Sequence, residues 1–93
     1  MAKRRQKIRM ALAQMNSTVG DLKGNTAKVI SLVKKAQSQG VDIISFPELA
    51  ITGYPPEDLL FKQKFISDNI AELKRCAGHV KDIVAVVGFV DSV

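Results

Sequence analysis

A nearly unbroken apolar segment, residues 41–46, stops at Pro47, and this break restricts the possible folds strongly. A strand buried on both faces reads as a continuous hydrophobic run, and such strands belong mainly to parallel sheets covered by helices. Because proline cannot continue a central strand, the strand is predicted to end at Phe46. The segment therefore predicts an α/β fold with a parallel sheet, in which ligands bind beyond the carboxyl ends of the strands.

The apolar residues on either side change between strand-like and helical periods, as in βαβ units. Strands are predicted at residues 8–14, 41–46 and 83–90, and a second helix at 65–77. One face of the first helix is formed by five residues at helical spacing: Thr26, Val29, Ile30, Val33 and Ala36. Gly40 is predicted to end that helix, while Asp21 or Asn25 could cap its start. The order predicts a β-α-β-α-β unit with right-handed crossovers.

The net charge of +5 comes from the start of the chain. The basic residues there are Lys3, Arg4, Arg5, Lys7 and Arg9. Without those five, nine basic residues remain against nine acidic ones, so the body is neutral. We expect residues 1–7 to form a basic, disordered tail without a nucleic-acid partner, and residues 8–93 to form the domain. No apolar run of transmembrane length and no secretory signal occurs, so we expect a cytoplasmic protein without a membrane partner.

Glu48 comes directly after Pro47, which stops the second predicted strand at the end where α/β folds bind their ligands. A carboxylate fixed beside a stiff strand can act as a general base. A glutamate at this point can equally cap the turn that follows, because acids are common at strand ends. The residue pattern alone leaves both interpretations open.

The remaining chemically active side chains have structural interpretations. Cys76 falls on the apolar face of the second predicted helix, with Phe65, Ile66, Ile70, Leu73 and Ala77, and is expected to be a buried core residue. His79 is expected near the end of that helix, where it can complement the helix dipole. Glu57 and Asp58 are typical first-turn acids. We expect no metal site and no cofactor in this segment.

Residues 46–60, FPELAITGYPPEDLL, resemble the glutamate motif of the carbon–nitrogen hydrolase (nitrilase-like) superfamily. The extension at residues 53–59 is most similar to the glutaminase domain of the glutamine-dependent NAD(+) synthetases within it. Residues 11–25, ALAQMNSTVGDLKGN, resemble the first strand, loop and helix start of the same domain. The resemblance spans about residues 8–90, which is nearly the whole chain.

The resemblance implies a four-layer α-β-β-α sandwich, of which this chain supplies the first, truncated β-α-β-α-β portion. It also implies amide hydrolysis by a cysteine, a glutamate and a lysine, with Glu48 at the position of the glutamate base. Tyr54 matches a tyrosine that lines the glutamine pocket, although it could instead pack on the loop prolines. The family's lysine and cysteine lie beyond the third strand, so we expect the isolated chain to be inactive.

The partners implied by the resemblance are glutamine and the remainder of the same polypeptide. ATP and magnesium would serve a synthetase domain that is absent here. We also expect a homo-oligomer, because the third strand leaves apolar surface uncovered. Two alternatives stay open: another carbon–nitrogen hydrolase that acts on a small free amide, and a non-catalytic α/β binding module.

Overall fold

The structure is a computed structural model that describes residues 7–91. The predicted basic tail therefore lies outside the described residues except for Lys7. The elements follow in the order β1 (Met10–Leu12), α1 (Leu22–Ser38), β2 (Ile43–Ser45), a 3-10 helix (Glu57–Phe61), α2 (Gln63–Ala77) and β3 (Val84–Val86). This order confirms the predicted β-α-β-α-β unit.

The strands form a parallel sheet in the order β1-β2-β3, so the apolar strand at residues 43–45 lies at its centre. Each strand pairs over three residues, and Ile44 lies between Ala11 and Ala85 in the middle row. The strands are shorter than predicted. Ala13 N–H still donates to the Ser45 carbonyl at 2.8 Å, just beyond β1.

Helix α1 starts at a side-chain N-cap and ends at a glycine in the left-handed conformation. Asp21 is the N-cap, and its carboxylate accepts a hydrogen bond from Gly24 N–H at 3.1 Å. Gly40 has a φ of +73°, in the left-handed region that glycine adopts most easily. Its N–H donates to the Gln37 carbonyl, and Val41 N–H donates to that of Ala36, which is a Schellman motif. Gly40 therefore ends the helix as predicted.

Both helices pack on the face of the sheet that carries Ala11, Ile44 and Ala85. The five residues predicted for the inner face of α1 are all buried: Thr26, Val29, Ile30, Val33 and Ala36. From α2, Phe65 and Cys76 are buried, whereas Ala77 is exposed, contrary to the prediction. Among residues 7–91, no helix is both long and apolar enough to cross a membrane.

The opposite face of the sheet carries apolar side chains that the described residues leave exposed. Met10 is 65% exposed and Leu12 79% exposed on β1, and Val84 and Val86 are 58% and 54% exposed on β3. These four side chains, here called the open sheet face, alternate with the inward ones because successive strand residues point to opposite sides. The expected uncovered apolar surface is therefore present.

Cys76 is only 2% exposed and belongs to the core that joins α2 to the sheet, as predicted. Burial raises the pKa of its thiol above the ordinary value of 9.0, and the nearby Arg75 guanidinium offsets part of that rise. At a pH between the unfolded and the folded pKa, the folded chain therefore keeps the thiol proton, whereas the unfolded chain has lost it. This contribution to stability is complete below the unfolded pKa and is lost as the pH rises through the folded pKa.

We expect Cys76→Ala to lower the free energy of unfolding by about 1 kcal/mol at neutral pH, because it deletes a small buried group. The difference in the free energy of unfolding between the original chain and the variant, here called the gap, should shrink as the pH rises above 9.0. The original chain loses the contribution of its protonated thiol there, whereas alanine has no proton to lose. Urea unfolding of both chains at neutral and at alkaline pH measures the gap. A gap that widens at alkaline pH would contradict this account.

Candidate functional site

Glu48 lies at the end of the central strand, as predicted: β2 ends at Ser45, and Phe46, Pro47 and Glu48 follow it. Phe46 is buried, and its N–H donates to the Val86 carbonyl at 3.0 Å, so the ladder to β3 continues to that point. Pro47 then ends the pairing, because proline has no N–H to donate. The Glu48 side chain is exposed at the start of the following turn. A carboxylate on such an edge can reach a bound ligand.

The turn after Glu48 is closed by its own backbone. Leu49 has a φ of +53°, in the left-handed region, and Gly53 N–H donates to the Leu49 carbonyl at 2.9 Å. Gly53 has a φ of +81°, and a Cβ there would lie 2.7 Å from Val19 Cα. The turn therefore needs glycine at position 53, both for its conformation and for its contact with residues 13–21 between β1 and α1, here called the first loop.

Three hydrogen bonds attach this turn to the first loop and to α1. Ser17 Oγ donates to the Ala50 carbonyl at 2.8 Å, and Gly20 N–H donates to the Thr52 carbonyl at 2.9 Å. Asn25 Nδ2 donates to the Ile51 carbonyl at 2.8 Å. Ala50, Ile51 and Thr52 are all buried. The backbone next to Glu48 is thus held in one place by the body of the domain.

Asn25 is fully buried and satisfies both sides of its amide. Its Oδ1 accepts from Thr18 N–H, and its Nδ2 donates to the Thr18 carbonyl as well as to that of Ile51, each at 2.8 Å. The first loop is therefore joined to the Glu48 turn through one side chain. Of the two residues predicted as possible N-caps of α1, Asp21 is the cap and Asn25 is not.

Tyr54 lies on the same loop as Glu48, with its side chain 73% exposed. The peptide bond between Tyr54 and Pro55 is cis. At the carboxyl ends of β1 and β2, residues 13–16 and Pro47 line an open cavity of about 450 Å³. The side chains of Glu48 and Tyr54 are both exposed, and their roles stay predictions.

The other candidate residues take no part in this site. Glu57 and Asp58 are in the first turn of the 3-10 helix, as expected for first-turn acids. His79 follows α2 and is exposed, and its N–H donates to the Cys76 carbonyl at 2.9 Å. Within residues 7–91, no group of three or more His, Cys, Asp and Glu side chains is placed to hold a metal ion.

Sequence reasoning missed three residues that shape the site: Ser17, Asn25 and Gly88, where a Cβ would lie 2.8 Å from Leu49 N. Asn25 could have been found, because it falls on the apolar face of α1 with Val29, where a polar side chain must have buried partners. Ser17 and Gly88 gave no such signal, since their importance depends on contacts between segments distant in the chain.

The family described as Carbon-nitrogen hydrolase matches residues 9–91 of this chain. This chain belongs to the carbon–nitrogen hydrolase family. Within the family, it is 39% identical over 89 residues to the glutamine-dependent NAD(+) synthetase of Thermotoga maritima. The aligned segment covers 94% of this chain and 16% of that protein. The superfamily predicted from FPELAITGYPPEDLL is thereby confirmed, as is the similarity to this branch.

Solved structures agree with this assignment. The crystal structure of a glutamine-dependent NAD(+) synthetase from Cytophaga hutchinsonii matches with a TM-score of 0.88 and 29% identity, over 92% of this chain and 15% of that one. The synthetase from Acinetobacter baumannii, solved with adenosine diphosphate, matches with a TM-score of 0.82 and 39% identity, over 90% of this chain and 16% of that one. The chain thus spans about one sixth of these proteins.

Proposed function

We propose that this carbon–nitrogen hydrolase segment belongs to a glutamine-dependent NAD(+) synthetase and supplies Glu48 as the general base for glutamine hydrolysis. The observation that carries the proposal is the position of Glu48, exposed on a rigidly attached turn at the carboxyl end of the central strand. The names of the Thermotoga, Cytophaga and Acinetobacter relatives support the choice of glutamine.

The proposed reaction begins when Glu48 takes the proton of a cysteine thiol, and the resulting thiolate attacks the amide carbon of glutamine. A lysine ammonium stabilises the oxyanion of the tetrahedral intermediate. Glu48 then returns the proton to the leaving nitrogen, so ammonia departs and a thioester remains. Glu48 next takes a proton from a water molecule that attacks the thioester, which releases glutamate and regenerates the thiol. The cysteine and lysine are assigned to the polypeptide outside these 93 residues.

Within the proposal, Tyr54 lines the pocket for the glutamine side chain, which its exposure on the Glu48 loop permits. The released ammonia amidates deamido-NAD in an ATP-dependent reaction of a separate domain, and the adenosine diphosphate of the Acinetobacter baumannii structure agrees with nucleotide binding by that relative. We propose a cytoplasmic location, where ATP and the dinucleotide are available, and cell fractionation would test it. The deciding test of the proposal is a paired assay of Glu48→Gln with glutamine or ammonia as the nitrogen source.

We further propose that the 93-residue chain by itself forms homo-oligomers through the open sheet face. Burying Leu12 and Val86 against a second copy would remove exposed apolar surface from water, which favours association. Light scattering over a range of concentrations should give a mass above 10.2 kDa. The double variant Leu12→Gln, Val86→Gln should return it towards the monomer. Phe61→Gln is the control, because Phe61 is 86% exposed but lies on the 3-10 helix. A monomer at all concentrations would contradict the proposal.

A further inference from the structure

The segment that follows β3 touches the backbone of Glu48 at Gly88. A Cβ atom on Gly88 would lie 2.8 Å from Leu49 N, 3.3 Å from Glu48 C and 3.4 Å from Glu48 Cα. Real Cβ atoms essentially never approach a heavy atom closer than 3.0 Å, so a side chain at position 88 requires a shift. All three are backbone atoms and cannot rotate away as a flexible side chain can.

Gly88 itself has little room to retreat. Two residues earlier, the Val86 carbonyl accepts from Phe46 N–H at 3.0 Å and joins the segment to β2. Two residues later, Val90 N–H donates to Asn69 Oδ1 at 3.0 Å, and Asn69 Nδ2 donates to the Val90 carbonyl at 2.6 Å. Asn69 is fully buried in α2. The segment is therefore fixed on both sides of Gly88.

The Glu48–Leu49 peptide is held on its other flank by the turn that follows. The Leu49 carbonyl accepts from Gly53 N–H, and the next residue, Ala50, accepts from Ser17 Oγ at 2.8 Å. Ala50 is 1% exposed, so the turn cannot swing into solvent without opening the core. A methyl group on Gly88 therefore presses Glu48 against a turn that has little freedom to yield.

We infer that Gly88 and Ser17 are positioning residues for Glu48, which set where its carboxylate stands during hydrolysis. The inference rests on the proposed role of Glu48 as the general base. Gly88 permits the close approach of two backbones, and Ser17 holds the far side of the turn. Neither side chain needs to touch the substrate, because both act on the backbone that carries the base.

The test uses the full-length enzyme that contains this segment and measures steady-state kinetics with glutamine and with ammonia. Gly88→Ala should lower the glutamine-driven kcat by roughly 10-fold or more, since a displacement of about 1 Å can cost 100-fold in rate. KM for glutamine and the ammonia-driven rate should change little, because kcat and kcat/KM fall together when an interaction of the transition state is lost. Ser17→Ala should lower the same kcat, by roughly 3-fold or more, because it loosens the turn without adding bulk.

Each variant has a matched control. Gly78→Ala adds the same methyl group at a right-handed position with a φ of −65°, where the nearest atom, the Arg75 carbonyl oxygen, is 3.5 Å away. Ser38→Ala removes a 2.7 Å hydrogen bond from Ser38 Oγ to the Lys35 carbonyl at the end of α1, which lies before β2 begins, whereas Glu48 follows the end of β2. Both controls should keep the original kcat with glutamine and the original thermal midpoint.

The outcomes separate the inference from the proposed function. If Glu48→Gln abolishes glutamine use while Gly88→Ala and Ser17→Ala keep the original kcat, the positioning role is wrong and the function stands. If Glu48→Gln itself has no effect, the proposed function fails. Should Gly88→Ala fail to fold, Ser17→Ala decides: an unchanged kcat overturns the inference, and a lower kcat at unchanged KM supports it.

Discussion

Replacing Glu48 by glutamine should abolish glutamine-driven NAD formation in the full-length enzyme and leave ammonia-driven formation largely intact. General acid–base catalysis contributes roughly 100-fold to 10,000-fold in rate, so a loss in that range is expected. The substitution keeps nearly the same size and shape but removes the group that carries protons to and from the thiol. Exogenous ammonia bypasses this step, because amidation takes place in a separate domain under the proposal.

Packing should not complicate the result. The Glu48 side chain is exposed, and the turn beside it is held by backbone groups and by Ser17 and Asn25 rather than by the carboxylate. Glu57→Gln is a matched control, since it makes the same change of charge at an exposed position on the same connection between β2 and α2. It should leave both activities unchanged.

The paired assay distinguishes three explanations. A selective loss of the glutamine-driven rate supports the general base. If both rates fell together, Glu48 would be a structural residue that caps its turn, which the sequence pattern left open. If neither rate fell, the match of residues 46–60 to the glutamate motif would carry no catalytic meaning here.

The sequence predicted the fold well wherever a local pattern decides the structure. The inner face of α1 follows from helical spacing, and Gly40 ends that helix because a left-handed residue is needed there. The lengths of the strands were overestimated. A run of apolar residues indicates that a segment is buried, but a strand also needs a neighbouring strand to pair with. Residues 8–14 and 83–90 are the outer runs, and only three residues of each pair with β2.

The candidate site was predicted only in part, for a physical reason. Glu48 could be located because the end of a buried strand is a local feature. The residues that hold it, Ser17 and Gly88, lie 31 and 40 positions away, so their contacts appear only once the chain is folded. Asn25 was taken for a possible cap, because asparagine is common at helix starts, whereas its burial on the inner face of α1 depends on the first loop.

Asn25→Ala should cause a large loss of stability, about 3 kcal/mol in the free energy of unfolding, because buried polar partners lose their hydrogen bonds. The hydrogen bonds of the Asn25 amide to Thr18 and to Ile51 should contribute unequally to this loss. Thr18 is exposed, so water can replace its bonds to the amide. The carbonyl of Ile51 belongs to a residue with 0% exposure, so it would be left unsatisfied. Urea unfolding should show a lower midpoint with an unchanged slope.

Asn16→Ala is the control, because Asn16 is an exposed asparagine in the same loop, and its backbone carbonyl still accepts from Lys28 Nζ after the change. Its cost should stay within about 0.5 kcal/mol, as for most surface substitutions. A cost for Asn25→Ala no larger than that of Asn16→Ala would mean that the three bonds of the Asn25 amide are replaced without penalty.

Asn25→Asp then separates hydrogen bonding from volume. Aspartate has almost the size of asparagine and can still accept from Thr18 N–H, but it cannot donate to the carbonyl oxygens of Thr18 and Ile51. At neutral pH it would also place a buried negative charge against two oxygen atoms, which is costly without a partner. We therefore expect Asn25→Asp to be at least as destabilising as Asn25→Ala. If Asn25→Asp were instead the milder change, the volume of the side chain rather than its two donated bonds would hold the Glu48 turn to the first loop.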